Sequence, residues 1–116
     1  MDNEMEDLRL IIRQFAEDRD WDQFHSPKNL ASALTVEAGE LLEQFQWLTE
    51  EQSNGLSEEQ KAKVKDEIAD VLIYLVRLAD KLDVDLIAAA RDKIVHNAKK
   101  YPVEKARGSN KKYTEL

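Results

Sequence analysis

The sequence predicts an all-α fold, a four-helix bundle, on three observations. Glycine (3) and proline (2) are too scarce for a strand-rich chain of 116 residues, which makes long helices the default. Apolar residues recur three and four positions apart, as in Leu8, Ile11, Ile12 and Phe15, and nowhere alternate as a strand would require. The stretches that interrupt this spacing are short and few, and they divide the chain into four helical segments.

The first helix is expected from about Met5 to Asp18. RDWDQFHSP then breaks the pattern, and Pro27 forces the residue before it into an extended conformation. A second helix follows from about Lys28 to Thr49, closed by the polar stretch TEEQSNG. Leu56-Ser57-Glu58-Glu59 opens a third, with Ser57 as its N-cap, which runs to about Leu82. The acidic link DVD leads to a fourth, from about Asp85 to Lys100, stopped by Pro102. Residues 1–102 thus form a single helical domain. The remainder, 103–116, ends in ARGSNKKYTEL, has no periodicity, and is expected to be a flexible tail.

Size and charge narrow the function. A chain of 13.4 kDa is one domain with a modest core, and an oligomer is plausible from size alone. With no cysteine there is no disulfide framework, thiolate metal site or thiol nucleophile. The start, MDNEMEDLRL, is acidic where a signal peptide would be basic and then apolar, and VLIYLV (71–76) is too short to span a bilayer. The expectation is a cytoplasmic protein. A net charge of -7 and a pI near 4.9 argue against nucleic acid or an anionic membrane as partner.

Within EAGELLEQFQW (37–47) two glutamates fall where a helix keeps its apolar face. At about 100° per residue, Leu30, Leu34, Leu41, Phe45 and Leu48 define the buried stripe of the second helix; Glu37 projects within about 20° of its edge and Glu40 about 60° further round. On the third helix the stripe is Val64, Val71, Leu75, Leu78 and Leu82. Glu67 lies beside Leu78 in projection, with Tyr74 close by and Asp70 about 60° away. Unpaired carboxylates at a core edge are costly, so these acids need cations or a hydrated cleft. Any one of them could reach solvent or pair with Lys65, Arg77 or Lys93. Two acidic pairs, each on the inner edge of its helix, point instead to a hard divalent cation, and an oxygen-only ligand set selects Mg²⁺ or Mn²⁺ over zinc.

Glu37-x-x-Glu40, then twenty-six residues, then Glu67-x-x-Asp70 resembles the ExxE…ExxD signature of the MazG-like, all-α NTP pyrophosphohydrolases. RDWDQFHSPKNLA, EAGELLEQFQW, DEIADVLIYLVRLAD, KxxxNxxKYP at 93–102 and the final KKYTEL extend the resemblance over nearly the whole chain, toward the dCTP pyrophosphatase branch. That resemblance implies Mg²⁺-dependent conversion of a deoxynucleoside triphosphate, best dCTP or a 5-substituted dCTP, to the monophosphate and pyrophosphate. It also implies a helical bundle that forms a homodimer, often a dimer of dimers, hence a homotetramer. Glu37, Glu40, Glu67 and Asp70 would be the metal ligands, with Glu40, or else Glu37, orienting or deprotonating the attacking water.

Lys93, Asn97 and Lys100 fall within about 60° on one face of the fourth helix, and the resemblance assigns them to the phosphates; Lys100 stands where the family often has Arg. Lys111, Lys112 and Tyr113, with Ser109, match the family's terminal motif and would fold over the phosphates. Trp21 and Trp47 match positions that stack on or shape the base pocket, and Tyr74 is grouped with them. His25 would hydrogen-bond the base or, the favoured role, brace the loop before Pro27. Phe15, Phe24 and Phe45 read as core. Ile12 stands where the animal members place a His. Two other functions were open to the sequence: a non-catalytic acidic helical dimerisation module, which would carry its acids on outer faces, and a dUTPase-like or histidine-pathway relative from the same superfamily.

Overall fold

The structure is a computed structural model in which residues 3–116 are described. Among them there are six α-helices and two 3-10 turns, and no strand. The helices are α1 (Glu4–Asp18), α2 (Pro27–Glu43), α3 (Glu50–Ser53), α4 (Glu58–Lys81), α5 (Leu86–Lys100) and α6 (Val103–Ala106); the 3-10 turns are Asp22–Phe24 and Tyr113–Glu115. The chain divides into two compact units, one extending to Asp83 and one from Val84 to Leu116.

The starts of the long helices follow from side-chain capping. Ser26 accepts from the Asn29 N–H at 3.1 Å, and Pro27 occupies the first helical position, where its missing N–H would have had no partner. Ser57 caps α4 as its sequence predicts, in a reciprocal arrangement: Gln60 N–H donates to Ser57 Oγ at 3.1 Å while Ser57 N–H donates to Gln60 Oε1 at 2.9 Å. Asp85 Oδ1 accepts from Ala88 N–H at 3.0 Å and opens α5.

The second helix is shorter than its hydrophobic spacing predicts. It stops at Glu43, and residues 44–48 continue as turns closed by bonds such as Gln46 N–H to Leu42 O, at 2.9 Å. The cause lies ahead of it. Thr49 is extended (φ -76°, ψ 165°) because it forms a second reciprocal cap with Gln52, and a residue so placed cannot lie inside a helix. Phe45 and Leu48 therefore sit in a turn, and the four-residue helix α3 occupies a segment expected to be irregular.

In the first unit α4 is the shared element, and both α2 and α1 pack on it. Its core is Ile12 and Ala16 from α1, Leu30 from α2, and Val64, Val76 and Ala79 from α4. Leu30 and Val76 are only 1% exposed, and each such burial contributes about 1.5–3 kcal/mol. The expected stripes are only partly covered: Leu34, Leu41, Val71 and Leu78 are half-buried, while Leu75 and Leu82 are exposed. Phe15 and Phe24, expected in the core, are exposed as well, because they occupy the end of α1 and the turn beyond it rather than the α2–α4 contact.

Burial of charge fixes how α1 meets α4. Asp80, with a side chain 4% exposed, accepts from Arg9 Nη1 at 2.6 Å and from Arg13 Nε at 2.9 Å. These guanidinium groups hold the Asp80 carboxyl down at about 2. No helix among the described residues is long and apolar enough to cross a membrane.

The second unit contains α5, α6 and the C-terminal 3-10 turn. Here the tail folds back on α5: the Tyr113 ring lies edge-on to Tyr101, with centroids 6.0 Å apart, and Lys100 Nζ stands 4.8 Å from the centre of the Tyr113 ring.

Candidate functional site

Carboxylates meet where α2 packs on α4. Glu37 comes from the middle of α2, and Glu67 and Asp70, one turn apart, from the middle of α4. One carboxylate oxygen from each of the three lies within 4.8 Å of the others. All three side chains are half-buried, as is Glu40.

The electrostatics of this cluster are unfavourable by construction. Burial, then a hydrogen bond and charge interaction with Glu40, then the charges of Asp70 and Glu67, push the Glu37 carboxyl up to about 7. Glu67 is raised for the same kinds of reason, burial first, then the charge of Glu40 and a hydrogen bond with it, then Asp70 and Asp66. Glu40 thus belongs to the cluster through both neighbours. Glu37 Oε2 and Glu67 Oε2 are buried and have no hydrogen-bond partner among the described residues. Two orphaned acceptor oxygens among mutually repelling carboxylates are what a cation would satisfy, so Glu37, Glu67 and Asp70 could hold a metal ion.

The convergence of the acids disagrees with a dimerisation module whose carboxylates face outward. Their pairing with nearby cations is not what forms either. Arg77, an available partner by sequence, is committed to Asp80 at 3.2 Å, Asp22 at 2.7 Å and His25 Nδ1 at 3.1 Å. Lys81 Nζ shares Asp22 Oδ1 at 2.7 Å. Helical projection does not find this network, because it joins the loop after α1 to the far end of α4. The signal available was the crowding of Arg77, Asp80 and Lys81, within five residues, at the end of α4.

Trp21 and His25 flank the 3-10 turn between α1 and α2. The Trp21 ring meets Phe15 edge-on at 5.8 Å and His25 at 6.4 Å. His25 accepts from Arg77, and burial followed by the Arg77 charge lowers its pKa. Tyr74 lies one turn beyond Asp70 on α4 and is half-buried. Trp47, in the turn that follows α2, is 86% exposed.

Lys93, Asn97 and Lys100 are on α5, Lys111 and Lys112 precede the last turn, and Tyr113 begins it. All six are in the second unit, where Lys93, Asn97, Lys111 and Lys112 are exposed and Lys100 meets Tyr113.

The chain as a whole is similar to known proteins. Residues 33–116 match the MazG-like family. dCTP pyrophosphatase 1 of Homo sapiens is 47% identical over 114 residues, spanning 97% of this chain and 67% of the human protein. The Bos taurus protein of that name is 46% identical, over 97% of this chain and 68% of its own length. Among solved structures, a pyrophosphatase from Archaeoglobus fulgidus DSM 4304 superposes with a TM-score of 0.83 at 42% identity, covering 88% of this chain and 95% of the archaeal one.

Proposed function

This chain belongs to the MazG-like family, and from that membership together with its carboxylate cluster we propose that it is a nucleoside triphosphate pyrophosphohydrolase. The substrate is a deoxynucleoside triphosphate, dCTP or a 5-modified dCTP, in line with the name its relatives carry. Water attacks the α-phosphorus, the bond to the bridging oxygen of the β-phosphate breaks, and pyrophosphate leaves with a deoxynucleoside monophosphate.

The single observation that carries this reading is the meeting of Glu37, Glu67 and Asp70 with two buried, unpartnered oxygens. Glu37, Glu40, Glu67 and Asp70 would hold Mg²⁺, with Mn²⁺ as a substitute. When bound, such a cation neutralises charge on the phosphate oxygens as the leaving group develops it. Glu40, which acts on both Glu37 and Glu67 yet is not needed for the closest convergence, orients or deprotonates the water, and Glu37 is the second candidate for that role. Lys93, Asn97 and Lys100 receive the phosphates, Lys111, Lys112 and Tyr113 close over them, and Trp21, Trp47, Tyr74 and His25 border the base. The working form is a four-helix bundle paired as a homodimer or a dimer of dimers, supported by the many large apolar side chains that a single chain leaves exposed.

A panel of canonical and 5-modified deoxynucleoside triphosphates with Mg²⁺, scored for pyrophosphate against phosphate, tests the proposal. Pyrophosphate released one for one with monophosphate, fastest from a cytosine nucleotide, is expected. Phosphate as the first product would overturn the reaction, and a preference for dUTP would favour the dUTPase-like alternative.

A further inference from the structure

The network around Arg77 does more than bury charge. Arg77 is 3% exposed, and its three guanidinium nitrogens reach three different partners. Nη2 donates to Asp22 Oδ1 at 2.7 Å, Nε to His25 Nδ1 at 3.1 Å, and Nη1 to Asp80 Oδ2 at 3.2 Å. Asp22 begins the 3-10 turn between α1 and α2 and His25 follows it, so one side chain of α4 holds both ends of that turn. Asp80 lies on α4 itself and is gripped from α1 by Arg9 and Arg13.

The loop so held carries Trp21 immediately before the turn. The Trp21 N–H donates to Ala16 O at 2.9 Å, and the reversal at Asp20 needs the left-handed backbone region, at φ 54°. At the other end Asn29 Nδ2 donates to Phe24 O at 2.9 Å. Among the described residues, the side-chain hydrogen bonds that tie this loop to α4 run from Arg77 to Asp22 and His25 and from Lys81 to Asp22, while the Trp21 ring also packs on Phe15 of α1.

Arg77 stands seven residues after Asp70, two helical turns along the same face of α4 and about 10 Å away along the helix axis. That offset is of the same order as the separation between the phosphates and the base of one nucleotide. We propose that Arg77 is a positioning residue for base selection: its guanidinium latches the Trp21–His25 loop to the helix that carries Glu67 and Asp70, fixing the distance between the group that stacks on the base and the groups that serve the phosphates. This rests on the reading of Trp21 as a base-stacking residue given above.

The chemistry calls for arginine at this position. A guanidinium presents five N–H donors in a rigid plane, which lets it hold a carboxylate, an imidazole and a second carboxylate at once; a lysine is a point charge with no such fork. Because a guanidinium N–H only donates, His25 Nδ1 acts as an acceptor, which leaves the hydrogen of the neutral ring on Nε2. The latch therefore sets the tautomer of His25 as well as the path of the loop. The depressed basicity of His25, from burial and then from Arg77, agrees with that assignment.

The test compares kcat/KM for dCTP and dTTP, with Mg²⁺, in the full chain and in Trp21→Ala, Asp22→Ala and Arg77→Lys. Asp22 is 55% exposed at its side chain, so its removal breaks the latch from the solvent side without opening the core. Trp21→Ala should shift the dCTP:dTTP ratio. Asp22→Ala and Arg77→Lys should shift it in the same direction by at least about threefold, through KM more than kcat, because a loosened loop misplaces the base while the carboxylates stay put. If Trp21→Ala moves the ratio while both latch variants lower the two substrates by a common factor, Arg77 is structural only and the inference fails. A ratio left unchanged by Trp21→Ala would remove the base-stacking role itself, and the inference with it.

Discussion

At the scale of the residue, burial and neighbouring carboxylates oppose the ionisation of Glu37 and Glu67. Glu37→Gln, Glu40→Gln, Glu67→Gln and Asp70→Asn should each nearly abolish turnover while leaving the fold intact, since on the proposed function each would remove an anionic ligand or the group that handles the water and would keep the shape. The cation-free protein should show the opposite response in stability. Glu37 is raised from 4.5 to about 7, so between those values the folded state binds more protons than the unfolded one, and stability falls as pH rises through that window. Thermal melts in EDTA from pH 5 to 8 should therefore decline, and Glu37→Gln should flatten the decline and melt higher than the parent above pH 7. Mg²⁺ binding should weaken as pH falls below 7, because the ligands must shed protons to bind. Full activity in any two of the four variants would defeat the metal assignment. Away from the cluster, Lys93→Ala should weaken all triphosphates alike, whereas Trp47→Ala should change the dCTP:dTTP ratio; kinetics on both nucleotides separate the two roles.

Among the elements, the junction of α1 with α4 depends on Asp80. Asp80→Asn leaves Arg9, Arg13 and the buried Arg77 facing a neutral group and should lower stability, read from urea unfolding. The Asp80 carboxyl is lowered from 3.8 to about 2, so its contribution is fully present above 3.8 and disappears as pH falls through 2. Asp80→Asn should accordingly remove part of the acid sensitivity below pH 4. The acids at the α2–α4 contact were legible in the sequence because helical projection alone puts Glu37 and Glu67 at the edges of two apolar stripes. Where α2 stops was not, because Phe45 and Leu48 keep the helical spacing while the deciding interaction, the Thr49 and Gln52 cap, is local and polar. The Arg77 network was beyond reach for another reason: Asp22 and Arg77 are 55 positions apart, and the crowding of charge at the end of α4 does not name its distant partner.

For the whole molecule, the core of one chain is small beside the apolar surface it leaves open. Ile11 and Phe15 on α1, Val36 and Leu42 on α2, and Ile68, Leu72 and Ile73 on α4 are all exposed. Soluble proteins cover such patches by pairing, and a chain of 116 residues has little core to set against the repulsion inside its own site. Sedimentation across a dilution series, run beside activity, should show a dimer or larger species with activity falling as it dissociates. A fully active monomer would overturn the assembly.

The turn that replaces the end of α2 gives this protein an optical asymmetry. The chain has two tryptophans, one lodged edge-on between Phe15 and His25 and one left bare beyond Glu43. Trp21 is 43% exposed and Trp47 86%, so collisional quenchers should reach Trp47 more readily, and a molecule that covers it should draw the emission toward the blue. Intrinsic fluorescence then becomes a titration signal in which single replacements of Trp21 and Trp47 by Phe tell which part of the surface a nucleotide has covered, with no label attached.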